Sequence, residues 1–270
     1  MSAATVNSVY GYVKNCLFVN LDTVAAFASP ADMPAVLQVL WDHKAKQLDP
    51  TGAIDPLELY RSKAPFYAEF SKVAALGLSY FAETEGNQIE LRATGLATRT
   101  EVDLLHHFGS TLFKKRFSAK ELHLVGHNAR DYHIPMLGRR FLANGIALPA
   151  ILNTQYLKPW EVPVEDTMEM WRFTERRAYI NLVTLALTLG IGTTPADPDT
   201  DAAITTSDLL RLAEFNSADR AMANTAVYHN PTEDLRPIAS TARLKAALVA
   251  QVWLRLRSLP ALAPNQIRFV

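Results

Sequence analysis

The apolar positions change period along the chain, and those changes predict its elements. Leu17, Phe18 and Val19 form an unbroken apolar run, followed by alternation through Asn20, Leu21, Asp22, Thr23 and Val24. An unbroken run suits a strand covered on both faces, and period 2 puts Asn20 and Asp22 side by side near its end. Ser29-Pro30-Ala31-Asp32 reads as a helix start with proline at the first position and an acid at the third. Met33, Val36, Leu37, Leu40 and Trp41 follow at helical spacing, which predicts a helix to about Gln47. Asp49-Pro50-Thr51-Gly52 breaks it, and a short helix is expected around residues 57–61. An apolar run over residues 73–81, the turn signal Glu85-Gly86-Asn87 and a returning segment at 88–92 predict a β-hairpin.

Thr98-Arg99-Thr100-Glu101 reads as a second capping box, with Leu104, Leu105, Phe108 and Leu112 on one face of the helix behind it. Residues 122–125 form a short buried strand ended by Gly126-His127-Asn128. Ile134, Leu137, Phe141 and Leu142 mark a helix closed by Asn144-Gly145. Further helices are expected at 179–189, ended by Gly190, at 204–215, and at 238–256. A stretch rich in proline and aspartate at about 192–203 reads as a mobile loop. The order predicts an α/β fold, with the first strand central between the hairpin and the 122–125 strand.

Composition narrows the class. A chain of 270 residues, 49% hydrophobic, can bury a large core, and its length favours one domain, 1–270. Within it, about 13–256 forms the core and about 30–62 a helical insertion. Lys+Arg and Asp+Glu both number 27, so no global field draws the chain to nucleic acid or anionic lipid. The single cysteine, Cys16, forms no internal disulfide and suits a reducing, cytoplasmic setting. No signal segment and no apolar run of membrane-spanning length is present in the sequence, so no membrane association is expected.

A series of pieces in order along the chain carries a family resemblance. They are Phe18-Val19-Asn20-Leu21-Asp22-Thr23-Val24, Leu40-Trp41-Asp42-His43-Lys44-Ala45, Phe66-Tyr67-Ala68-Glu69-Phe70-Ser71-Lys72 and Gly126-His127-Asn128. Arg139-Arg140-Phe141-Leu142-Ala143-Asn144-Gly145-Ile146, Lys158-Pro159-Trp160-Glu161-Val162-Pro163 and Asp166-Thr167-Met168-Glu169-Met170-Trp171 continue it. In these the chain resembles predicted 3'-5' exonucleases related to the exonuclease domain of family B DNA polymerases, in the ribonuclease-H-like DEDD group. The resemblance implies a ribonuclease-H-like exonuclease fold, with a mixed central sheet flanked by helices. It also implies a two-metal site, and here this sequence departs from the family. Asn20 and Asp22 stand where the family has Asp-x-Glu. His133, in Asn128-Ala129-Arg130-Asp131-Tyr132-His133, stands for the second-motif aspartate. Thr241 and Lys245 stand for the tyrosine and aspartate of the third motif.

The electrostatic consequence is large. A working site presents about four negative charges to two divalent ions. Each close opposite-charge contact is worth roughly 4 kcal/mol at about 4 Å and a moderate effective dielectric. Asn20, Asp22, a neutral His133 and the cation Lys245 sum to a net charge near zero, and Lys245 is expected to pair with Asp22. No catalytic residue is therefore expected to act, no cofactor is expected, and Asp22 alone would hold a metal weakly if at all. The resulting expectation is a pseudo-exonuclease serving as a nucleic-acid-binding or protein-interaction subunit, with single-stranded DNA or RNA, or a protein, as partner. Asn128, Tyr132, Trp160, Arg139 and Arg140 are the candidate strand contacts, Trp160 by stacking on a base or, as the commoner use of such a residue, by pinning its loop to the core. Basic clusters at Lys114-Lys115-Arg116 with Lys120, and at Arg172 with Arg176-Arg177, would contact phosphates or form ordinary solvated surface. The competing expectation is an active exonuclease dependent on Mg²⁺ or Mn²⁺, using displaced acids from Asp22, Asp131, Asp166 and Glu101.

Overall fold

A computed structural model describes residues 12–84, 88–112, 121–175, 178–192 and 204–270. The strands are β1 (Cys16–Ala25), β2 (Ser71–Glu83), β3 (Ile89–Ala97), β4 (His123–Gly126), β5 (Val164–Asp166) and β6 (Ile267–Phe269). They form one mixed sheet in the order β5-β4-β1-β2-β3-β6. All ten residues of β1 are buried, and it pairs antiparallel with β2 and parallel with β4. That is the central position its apolar run predicts. The edge strands β5 and β6 have three residues each, too short for any periodicity to reveal. β5 is fixed instead by Glu165, whose carboxylate accepts from Trp253 Nε1 at 2.8 Å.

The described helices are α1 (Ala35–Leu48), α2 (Pro56–Lys63), α3 (Glu101–Leu112), α4 (Ile134–Ala143), α5 (Thr167–Arg172), α6 (Leu182–Thr188), α7 (Thr206–Ala213), α8 (Ser217–His229) and α9 (Arg236–Leu256). Alternate residues of β1 feed two cores. Cys16 and Phe18 pack with α6, α7 and α9, whereas Leu17, Val19 and Leu21 pack with α3 and α4. A smaller cluster of Met33, Trp41, Tyr60 and Phe70 closes the far end of β1. None of these helices is long and apolar enough to cross a membrane.

Several boundaries differ from the sequence expectation, each for a local reason. Ser29 opens only a 3-10 turn, Pro30–Asp32, because Met33 precedes Pro34 and is held extended (ψ 151°). α1 therefore starts at Ala35, and of its expected apolar face only Trp41 is buried. Val36 and Leu40 are exposed. Leu142 on α4 is likewise exposed. The Glu101 carboxylate does not cap its own helix. It accepts from the Val73 backbone N–H at 2.7 Å and pairs with Arg140. α6 begins at Leu182 instead of 179, since Asn181 Oδ1 accepts from the Val183 N–H and caps it. α8 has no large apolar stripe to announce it, because its inward face is Ala221, Thr225 and Tyr228. Residues 85–87 and the 193–203 part of the expected mobile loop lie outside the described residues.

α9 lies unusually close to the sheet. Gly77 on β2 and Gly95 on β3 are cross-strand partners, and Asn20 on β1 is the next residue in that row. A Cβ on Gly77 would sit 1.8 Å from the Ala242 carbonyl oxygen, and one on Gly95 would sit 2.1 Å from that of Ala239. Only glycine admits a helix backbone at this distance. We expect Gly77→Ala and Gly95→Ala each to lower unfolding free energy by about 3 kcal/mol or more, read by urea denaturation. Gly109→Ala on α3, where a Cβ meets only the Phe141 ring at 3.9 Å, should be neutral or stabilising by about 0.5–1 kcal/mol. Equal responses at all three positions would refute the close-packing account.

Candidate functional site

β4 pairs with β1 only through Cys16–Phe18 and then turns away at Gly126. The crevice opened beside the carboxyl ends of these parallel strands is where α/β sheets commonly bind ligands. It holds a cleft of about 270 Å³, lined among others by Asn20, Asp22, Asn128, Tyr132, His133 and Lys245. Residues more than two hundred positions apart are thus brought together. Six of the ten positions expected to carry the site or hold a strand beside it owe this to three features: the pleat of β1, the turn after Gly126, and the close seating of α9.

The dominant contact is between Lys245 Nζ and Asp22 Oδ1, 2.6 Å apart, with side chains 20% and 10% exposed. Ala242, seated on Gly77, is one turn before Lys245, so the seating of α9 sets where the ammonium falls. A register shift between Asp22 and Thr23 puts a bulge in the β1–β2 ladder beside the pair. Asp22 Oδ2 and the Asn20 amide nitrogen are buried without a partner.

The turn after β4 is organised by a carboxylate. Asp166, at the end of β5, is 4% exposed. It accepts from the backbone N–H groups of Asn128 (2.9 Å), Arg130 (3.0 Å) and Met168 (2.9 Å). Asn128 takes the left-handed conformation (φ 59°) that starts a π-turn over Ala129–His133. Tyr132 lines the cleft, but its hydroxyl is engaged by Thr23 Oγ1 at 2.5 Å and by the Pro65 carbonyl. Burial and the nearby Asp22 charge hold that phenol protonated. His127 donates from Nε2 to the Ile180 carbonyl at 2.8 Å, and its Nδ1 lies 2.9 Å from Thr167 Oγ1, which also reaches the Gly126 carbonyl. Burial also lowers its pKa. Burial pushes His133 down to about 4 against the opposing charges of Asp166 and Asp22, and its Nδ1 has no partner.

Other expected positions fall elsewhere. Thr241 is buried on the turn of α9 before Lys245 and does not line the cleft. Arg140 is engaged by Glu101 at 2.6 Å and donates to the Ala68 carbonyl, a structural role that removes it from the candidate strand contacts. Arg139 is exposed outside the lining. Trp160 is 77% exposed under Lys158, so it does not pin its loop to the core. Of the displaced acids, Asp131 is exposed, Glu101 is paired away and Asp166 is consumed by backbone N–H groups. The clusters at 114–120 and 176–177 lie outside the described residues. Sequence reading missed Arg220, Ser217 and Asn224, all on α8, and Asn181, Phe66 and Phe215. The Asn-x-x-Asp cap at Asn216 was the one available signal for α8.

This donor set does not fit a pair of divalent ions. Asp22 is already neutralised, Asn20 presents an unpartnered amide nitrogen, and His133 is neutral. Among the described residues no three His, Cys, Asp or Glu side chains converge as metal ligands. In comparisons with known proteins, no family model and no curated sequence matches the chain.

Two outcomes follow from the geometry. Lys245→Met leaves Asp22 buried and unpaired and should cost about 3 kcal/mol, whereas Lys245→Met with Asp22→Asn should recover most of it in urea melts. Additive losses would mean that the pair contributes nothing. The second concerns pH. His133 has a folded pKa below its unfolded value of 6.5, so the unfolded chain binds the extra proton as pH falls from about 6.5 towards 4. Stability should drop in that window by on the order of 3 kcal/mol from this residue. Replacing His133 with Leu should reduce the slope by about one proton, and an unchanged slope would contradict the assignment.

Proposed function

We propose that the chain is a ribonuclease-H-like, exonuclease-type protein that has lost catalysis and holds single-stranded nucleic acid in this cleft without cutting it. The observation that carries the reading is the Lys245 ammonium 2.6 Å from Asp22, on the strand end where the family resemblance puts the metal carboxylates. A fixed monocation there repels a divalent ion and satisfies the one matched carboxylate. Four of the positions matched to that family, Asn20, Asp22, His133 and Lys245, converge on the cleft, which supports the fold assignment. The mixed sheet, with an antiparallel β1-β2-β3 meander followed by parallel β4, supports it too. The active-enzyme alternative finds no support in the acids it would need, since three of the four are exposed or engaged elsewhere.

The test pairs hydrolysis with binding. Labelled single-stranded DNA and RNA, incubated with Mg²⁺ or Mn²⁺, should keep their length as in a no-protein control. The same strands should raise fluorescence anisotropy in EDTA. Asn20→Asp, His133→Asp and Lys245→Asp together should increase Mn²⁺ affinity beyond any single change, because the three charges act on shared ions. Metal-dependent degradation by the unmodified chain, abolished by Asp22→Ala, would overturn the reading.

A further inference from the structure

The cleft is built for an anion as well as depleted for a metal. Lys245 reaches it from α9 and Arg220 from α8, while among the described residues Asp22 is the one carboxylate in its lining. The two histidines there are neutral, so among the described lining residues one positive charge is left over. Arg220 is held in place, with one amino group donating to the Arg211 and Leu212 carbonyls at 3.1 and 2.9 Å. Its guanidinium lies 5.5 Å from the Phe215 ring centroid. A guanidinium has five N–H donors, and those carbonyls occupy one nitrogen. The Asn20 amide nitrogen adds a buried donor with no acceptor, on a residue only 5% exposed. A ligand oxygen there removes the penalty of an unsatisfied donor. Ser217, first residue of the 13-residue α8, brings the positive end of that helix to the same wall.

The remaining walls are ring-shaped. Phe66 and Phe215 both line the cleft, and Phe66 packs on Tyr132 with centroids 5.8 Å apart. A cleft of about 270 Å³ has room for a mononucleotide.

We propose that the cleft is a metal-independent site for a nucleoside monophosphate, with the phosphate held by Lys245, Arg220 and Asn20 and the base against Phe66 and Phe215. This deepens the reading of the same cleft given above, and rests on it only for choosing a nucleotide among ring-bearing phosphate monoesters. Here protein cations supply the charge that divalent ions would bring, so binding does not depend on them.

The experiment is calorimetric titration of the full chain with adenosine monophosphate, adenosine and inorganic phosphate, each with and without EDTA. Adenosine monophosphate should bind equally well in EDTA, and each fragment should bind at least about tenfold more weakly. Arg220→Gln and Lys245→Gln should each weaken it by about tenfold. Since these variants also remove structural contacts, Asn181→Asp provides a probe that preserves the fold. Aspartate caps α6 as well as asparagine does, yet adds a negative charge to the lining. It should weaken the monophosphate about fivefold at low salt and leave adenosine unchanged. Binding lost in EDTA, no preference over adenosine, or indifference to Asn181→Asp would each overturn the proposal. Monophosphate bound without any oligonucleotide binding would sink the strand-holding reading and leave this site standing. Oligonucleotide binding without monophosphate binding would do the reverse.

Discussion

Everything in the candidate site depends on how near α9 comes to the sheet. The approach is set by two missing side chains, at Gly77 and Gly95, which let the carbonyls of Ala239 and Ala242 rest against β2 and β3. A helix seated by its backbone is fixed in height and in rotation, because sliding or turning it would drive a Cβ into a strand. The face that follows is then determined. Leu244, Ala247 and Leu248 go into the core with Phe18 and Phe81, and Lys245 goes to the edge of the row that begins at Asn20. A larger residue at either glycine would lift α9 and separate Lys245 from Asp22, even though neither glycine touches the cleft.

The second constraint is electrostatic and lies across the cleft. Among the described residues two carboxylates stand near it, and each is engaged by a group of the protein itself. Asp166 holds the left-handed turn at Asn128 by gathering three backbone N–H groups, which fixes where Tyr132 and His133 stand. Asp22 holds Lys245. Asp166 is engaged by backbone donors and Asp22 is paired through Oδ1 while its Oδ2 stays without a partner, and the neutral histidines beside them carry no compensating charge. The positive charge that Asp22 leaves unmatched is that of Arg220, which the fold anchors to the end of α7.

The central elements were legible because burial on both faces leaves a mark that sequence cannot hide. Leu17-Phe18-Val19 gave away β1 and its neighbours, and Leu104, Leu105 and Phe108 gave away α3. Convergence of Asn20, Asp22, His133 and Lys245 was readable only through resemblance, since no spacing rule links residues so far apart. What stayed hidden was of three kinds. Edge strands of three residues have no period. α8 turns alanine and threonine inward, so its apolar pattern is too weak to see, and with it Arg220, Ser217 and Asn224 went unnoticed. Arg140 was misjudged for the opposite reason. A basic pair looks like a phosphate contact in sequence, and only the fold reveals that Glu101 already occupies it.

An ammonium and a metal ion are not equivalent at such a site, and the difference decides what the cleft can do. A divalent ion bridges oxygens, draws a water into its coordination sphere and lowers that water's pKa enough to make a nucleophile. Lys245 donates hydrogen bonds from a single charge on a flexible stem and activates no water. Arg220 adds a rigid fork suited to an oxyanion, again without acidity to lend. Burial lowers the pKa of His133, and its place in the π-turn leaves Nδ1 beside Gly126 without a hydrogen-bond partner. On the proposed reading, a cleft built this way would stabilise a phosphate in its ground state and add nothing as its charge moved in a transition state, and uniform stabilisation of that kind gives binding without turnover.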